Sequence, residues 1–282
     1  MPETIVVNRG HGLPYSKGLM AQAMSATGLS PERAFELART VERRLDERRA
    51  DTIDIAGLRA LAEEVLLQEE GAGVVRRYRD WHRLDRLDRP LIVMGGGAAG
   101  VGKSTLATML AHRLGITRVI ATDVIRQVLR AFFTNEGMPN VHHSAFEVDL
   151  EGFHEQADHV GTGVAAIVER ACAEGTPVVV EGVHAVPGPL TDELRGECVP
   201  VEALLVVEDE GLHRGHFTLR GAARPAERYH RRFDEIRELQ RHLTERARKA
   251  GVPVIHNTNV EATLGHLMSL VLDAVGSLEE PT

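Results

Sequence analysis

A chain of 282 residues with 43% hydrophobic and 26% charged side chains can bury one substantial core and a smaller second one. Its formal net charge of −8 argues against broad electrostatic binding to nucleic acid or to anionic lipid. The two cysteines, Cys172 and Cys198, make neither a CxxC pair nor a disulfide framework, which points to a reducing compartment.

The chain opens MPETIVVNRG, without the apolar run of a secretory leader. Its apolar runs all fall short of the ~20 residues that span a bilayer, so the expectation is a cytoplasmic protein with no membrane partner. A short β-like run, Thr4 to Val7, leads into the turn-rich NRGHGLPYSKG. Helices follow. Ser30-Pro31 has the form of an N-cap with proline at the first helical position, and Ala34, Leu37, Ala38, Val41 and Leu45 make a helical stripe. A second stripe, Leu58, Leu61, Val65 and Leu66, follows Asp54. Charge-dense YRDWHRLDRLDRP closes this part, and a boundary is expected there: residues 1–88 as a small, mostly helical domain and 89–282 as the main one.

From Leu91 the pattern becomes strand, loop and helix in alternation. Apolar strands are predicted at 91–94, 116–121, 177–180, 201–207 and 252–256. Leu106, Met109, Leu110 and Leu114 mark one helix, closed by Gly115; Val160, Val164, Ile167, Val168 and Ala171 mark another. Continuous apolar strands separated by helices predict an α/β fold, a parallel sheet of about five strands covered on both faces. The 14 histidines are scattered without HExxH or Cys/His spacing, so no structural metal site is expected.

The stretch GGGAAGVGKST raises the chemistry. Gly97 to Ser104 fits GxxxxGK[ST], with an apolar strand before it and an amphipathic helix after it. Glycines there let backbone N–H groups turn inward around phosphate oxygens, and the helix N-terminus adds partial positive charge. Gly97, Gly100, Val101, Gly102, Lys103, Ser104 and Thr105 are the expected phosphate cradle for ATP. Lys103 should reach the β- and γ-phosphates, and Ser104 should ligate Mg²⁺.

Ligands of open parallel sheets gather at the carboxyl ends of the strands. The second strand ends at Thr122-Asp123, with Arg126 and Arg130 on the same helical face. Asp123 could orient or deprotonate an attacking hydroxyl, and Arg126, with Arg130 behind it, could grip a substrate anion. The same residues also fit an N-cap aspartate followed by two solvated arginines. Glu181 ends the third strand, where phosphate-loop enzymes place a carboxylate that supports Mg²⁺; a solvated strand end is the alternative. His184 reads equally as a substrate contact or a packed loop histidine. From Leu212 to Lys249 there are ten arginines and one lysine against five acids. Residues 212–232, with Arg214, Arg220 and Arg224 among glycines, suit a lid that closes arginines over the phosphates. The later part, ERYHRRFDEIRELQRHLTERARK (227–249), reads as one helix that turns Phe233, Ile236, Leu239 and Leu243 inward. A nucleic-acid stripe there would want interleaved aromatics, which are missing.

Four ordered blocks, GGGAAGVGKST, ATDVIRQVLR, EGVHAVPG and FDEIRELQRHLTERARKAGVPVIHN, resemble those of the 2-phosphoglycerate kinase family of phosphate-loop proteins. The resemblance spans nearly the whole chain. It implies a kinase fold and transfer from ATP to 2-phosphoglycerate, giving 2,3-bisphosphoglycerate. For that transfer, the residue readings above make Lys103, Asp123, Arg126, Arg220 and Arg224 the expected catalytic groups. Arg130, His143, Glu181 and His184 would line the acceptor site, and Ser104 with Glu181 would hold Mg²⁺. The N-terminal segment is similar to an ATP-cone, a nucleotide-binding regulatory module, but lacks a basic KRDGR start. A packing or homo-oligomerising role is its other reading. The family's His-Thr-Ser-Ser run stands here as His142-His143-Ser144-Ala145, which motivates an alternative: a kinase of another small phosphorylated or hydroxylated metabolite. A nucleotide-sensing regulatory protein is the reading from another class.

Overall fold

The computed structural model describes residues 4–8, 11–48, 51–84, 87–185, 188, 190–219 and 226–278. The chain divides into two compact units, Met1–Arg86 with Met268–Thr282, and Leu87–Leu267.

The first unit begins with β1 (Ile5–Asn8) and β2 (His11–Pro14), an antiparallel pair; β3 (Thr52–Asp54) adds parallel to β1, giving the order β2-β1-β3. Four helices follow or interleave: α1 (Lys17–Ser25), α2 (Pro31–Glu47), α3 (Ile55–Glu69) and α4 (Ala72–Arg83). Ser30 Oγ accepts from Arg33 N at 3.2 Å, so α2 starts at the predicted cap. Asp54 caps α3 in the same way, accepting from Gly57 N at 2.7 Å. Both predicted stripes face one buried cluster, where Leu37, Val41 and Leu45 meet Leu61, Val65, Leu66, Met24 and Tyr78. The sequence reading placed one strand in this part. The other two are three or four residues long and exposed along much of their length, so no alternation marks them.

The second unit is a five-stranded, all-parallel sheet ordered β5-β6-β4-β7-β8. Its strands are β4 (Leu91–Gly96), β5 (Val119–Ala121), β6 (Val178–Glu181), β7 (Val199–Val206) and β8 (Val254–His256). Ile92, Met94, Val178, Val179, Val180 and Leu204 are all buried, as a sheet covered on both faces requires. The helices are α5 (Lys103–Leu114), α6 (Thr122–Phe132), α7 (Leu150–Glu174), α8 (Asp192–Glu197), α9 (Glu210–Leu219), α10 (Ala226–Arg231), α11 (Phe233–Lys249) and α12 (Val260–Gly276), which belongs to this unit only as far as Leu267. The basic stretch read as one helix is two, α10 and α11, broken at Arg232; Phe233, Ile236, Leu239 and Leu243 are buried as expected. β4 lies at the centre, with β6 and then β5 on one side and β7 on the other. The register aligns Gly95 of β4 with Glu181 of β6, and Ala121 of β5 with the same Glu181. Three strand ends therefore open onto one place, where the loop after β4 turns into α5.

Candidate active site

The loop Gly97–Gly102 joins β4 to α5, and Lys103 is the first residue of the helix. Lys103 Nζ donates to the carbonyl of Ala98 at 2.8 Å, arching over its own loop. Ser104 Oγ donates to Glu181 Oε1 at 2.8 Å, which joins α5 to the end of β6. Glu181 is buried at the strand end, 7% exposed, and not solvated. Gly100 has φ +86°, and a Cβ there would drive into the ring of Phe217 on α9, so only glycine serves.

A cavity of about 530 Å³ runs from this loop across the strand ends. Lys103, Ser104 and Glu181 line one part, Asp123, Arg126 and Gln127 another, and Ser144, Ala145, Phe146, Arg228 and Tyr229 the rest. The phosphate-loop residues thus share one volume with Asp123, Arg126 and Glu181 of the predicted acceptor set, large enough for nucleotide phosphates and a small anion.

The predicted acceptor residues separate in the structure. Asp123 stands at the start of α6 with its side chain largely exposed, its Oδ1 3.3 Å from Arg126 Nε. The Arg126 side chain is 9% exposed, and its Nη1 donates to the carbonyls of Val141 (3.1 Å) and His143 (3.0 Å). These bonds pin the 3-10 turn Pro139–His142 beside the cavity. Arg126 is thus part of the wall as well as of the lining. For His143 the structure places the carbonyl, not a ring contact, in this network. Arg130 is exposed and reaches Gln127 at 3.4 Å. Arg214 lies over the Phe233 ring, 3.7 Å from its centroid. Arg220 and Arg224 lie outside the described residues.

His184 is buried behind the site, facing a neighbouring cavity of about 370 Å³ and stacked on Phe153. Its protonation follows from its partners. Gln156 Nε2 donates to the carbonyls of Asn140 (2.5 Å) and His143 (3.1 Å), so its Oε1 is the acceptor facing His184 Nε2 at 2.7 Å. Nε2 therefore carries the hydrogen, and Nδ1 accepts from the Thr122 hydroxyl at 3.1 Å. Burial pushes the imidazole down to about 4, with Asp123 opposing and Arg126 and Lys103 assisting. A neutral His184 thus ties α6, α7 and the turn at 139–143 to the loop after β6.

The sequence reading missed several neighbours. Asn257 Nδ2 donates to Val101 O at 2.9 Å and is itself held by Thr263. His213 Nε2 and His216 Nδ1 meet Ala99 O and Gly100 O, each at 2.8 Å. Arg228 from α10 donates to both carboxylate oxygens of Glu147 (3.1 and 2.6 Å) and to Ser144 Oγ (2.9 Å). That Arg228 partnership holds the Glu147 carboxyl below its usual range against the cost of burial. Tyr229 stacks on Phe217 with centroids 4.8 Å apart.

No protein-family model matches the chain. A 2-phosphoglycerate kinase of Methanothermobacter thermautotrophicus is 36% identical, over 90% of this chain and 89% of its own. Those of Methanopyrus kandleri and Pyrococcus horikoshii are 33% and 35% identical, covering 94% and 95% of this chain and 86% and 93% of theirs. Among solved structures, a shikimate kinase from Acinetobacter baumannii in complex with shikimate gives a TM-score of 0.42 at 16% identity, covering 69% of this chain and 97% of that one. With relatives of this identity along nearly its full length and a phosphate loop opening onto a shared cavity, the chain belongs to the 2-phosphoglycerate kinase family and is an ATP-dependent phosphotransferase acting on a hydroxyl-bearing substrate.

Proposed function

We propose that the acceptor is 2-phosphoglycerate and the product 2,3-bisphosphoglycerate. The observation that carries this reading is the single cavity joining Lys103 and Ser104 to Asp123, Arg126, Gln127, Ser144 and Arg228. A compact acceptor bearing phosphate and carboxylate needs that density of cationic and hydrogen-bonding groups; the curated relatives carry the same substrate in their name.

The loop amides cradle the ATP phosphates, and Lys103 neutralises charge on the group in transfer. Asp123 accepts the proton of the acceptor hydroxyl as its oxygen bonds the γ-phosphorus and the bond to ADP breaks in line. Arg126, Arg130 and the His143 segment shape and hold the acceptor. Arg220 or Arg224 supplies the arginine that meets the transferring phosphate. Ser104 and Glu181 present a hydroxyl and a carboxylate 2.8 Å apart, hard oxygen donors that fit Mg²⁺. When bound there, Mg²⁺ supplies charge neutralisation at the phosphates. Among the described residues no cluster of three or more His, Cys, Asp or Glu side chains is placed to hold a metal. Residues 1–88 are assigned as an ATP-cone-like domain, with nucleotide binding and a packing or oligomerising role as its two readings. The protein acts in the cytoplasm; among the described residues no helix is long and apolar enough to cross a membrane.

Ala145, buried in the cavity wall where the family's run has a hydroxyl, favours a second reading: a related phosphorylated or hydroxylated metabolite as acceptor. Release of ADP from Mg-ATP separates them, run with 2-phosphoglycerate, 3-phosphoglycerate, glycerate and no acceptor. Stimulation by 2-phosphoglycerate alone is expected. Equal stimulation by another acceptor would move the assignment there, and slow hydrolysis indifferent to all four would favour a nucleotide sensor.

A further inference from the structure

Four consecutive carbonyls of the phosphate loop each have a side-chain donor. Ala98 O receives Lys103 Nζ, Ala99 O receives His213 Nε2, Gly100 O receives His216 Nδ1, and Val101 O receives Asn257 Nδ2. In a trans peptide the C=O and the following N–H point in opposite directions. Fixing the Ala99 carbonyl on α9 therefore aims the Gly100 amide away from α9, and fixing the Gly100 carbonyl does the same for the Val101 amide. Those amides belong to the cradle.

We propose that His213 and His216 are positioning residues of the phosphate cradle, clamping two of its peptide planes so that their amides face the nucleotide before it arrives. His213, His216 and Phe217 stand at i, i+3 and i+4, on one face of α9. A methyl group at Gly100 would come within 2.9 Å of His213 Nε2 as well as into the Phe217 ring, so the loop rests directly on that face. His213 is fully buried. Arg237 on α11 donates to the carbonyls of Val207 (2.5 Å) and Glu208 (2.8 Å) and faces His213 Nδ1 at 3.4 Å. Nδ1 is thus the acceptor nitrogen, and the single hydrogen stays on Nε2, where Ala99 O needs it. Burial, opposed by the bond to Ala99, lowers the His213 imidazole to about 4 and keeps it in this neutral form. Preorganised donors cost no rearrangement when charge arrives, which is where such a clamp acts.

The inference rests on the loop as the ATP site and not on the identity of the acceptor. Wild-type ATP binding by calorimetry tests the first; the variants test the clamp. His216→Leu removes the donor to Gly100 O and should weaken ATP binding about tenfold, the size of one lost neutral hydrogen bond. His216→Asn keeps a nitrogen donor near the Nδ1 position and should recover to within about threefold. His213→Gln, which keeps a distal donor, should stay close to wild type and His213→Met should not; if His213→Met fails to fold, the His216 pair decides. With 2-phosphoglycerate as acceptor, KM for ATP should rise while KM for the acceptor holds. His216→Leu binding ATP within twofold of wild type would overturn the proposal. So would His216→Asn as impaired as His216→Leu, because helix packing alone would then explain the loss.

Discussion

Ser104 Oγ and Glu181 Oε1 meet at 2.8 Å although 77 residues separate them in the chain. The sheet makes the contact: Glu181 ends β6 in register with Gly95, two residues before the phosphate loop begins. Glu181→Gln keeps the shape and removes the charge. It should raise the Mg²⁺ concentration for half-maximal activity and lower kcat by about 10²-fold. A Mg²⁺ titration of ADP release checks this. An unchanged Mg²⁺ requirement would leave Glu181 as a strut for Ser104 only.

Lys103→Ala should depress turnover by about 10³-fold, since a cation at the transferring phosphate acts mainly in the transition state. In the folded protein its ammonium donates to Ala98 O at 2.8 Å; losing a neutral-acceptor bond of this kind costs about 1 kcal/mol, so the fall in turnover should far exceed the shift in thermal unfolding. Near-normal turnover would refute the assignment of the site.

Asp123 is largely exposed at the mouth of the cavity, and its contact with Arg126 is long at 3.3 Å. A carboxylate so placed is available for an acceptor hydroxyl. Asp123→Asn should cut kcat by about 10²-fold or more while ATP affinity stays within about threefold. If ATP binding suffers most, Asp123 belongs to the nucleotide or its metal.

How legible this was in the sequence depended on how local each signal is. The phosphate loop is eight consecutive residues, and strand-end acids such as Glu181 follow an apolar run, so both could be read directly. Gln156, His213, His216 and Asn257 escaped notice because each bonds backbone carbonyls remote from it in the sequence. His213 reaches Ala99 across 114 residues and Asn257 reaches Val101 across 156, and no spacing encodes that. Arg126 showed the opposite problem. Its helical phase with Asp123 and Arg130 was right, yet the turn at 139–143 buries it while leaving Arg130 exposed.

That burial makes a prediction about Arg126. Removing its guanidinium leaves the Val141 carbonyl without this donor inside the wall. Arg126→Met should therefore lose about 1–3 kcal/mol of folding stability, measured by denaturant titration, along with activity. A variant as stable as the parent but unable to use the acceptor would make Arg126 a substrate ligand alone.

The two buried imidazoles set an acid limit on stability. His184 and His213 are each held near 4 in the folded protein, against about 6.5 for an unfolded histidine. Between those values the unfolded chain binds protons that the folded chain does not, so stability falls as pH drops. Above about 6.5 neither state is protonated and the contribution is complete. For His184 alone, the loss between pH 7 and pH 5 is on the order of 2 kcal/mol. His184→Gln keeps an amide for Thr122 and Gln156 but cannot titrate. Its melting temperature should be lower than the parent's at pH 7, yet fall less from pH 7 to pH 5. Parallel acid slopes in the two proteins would mean that His184 takes up its proton without unfolding, and the Thr122–His184–Gln156 chain would then have to tolerate an imidazolium.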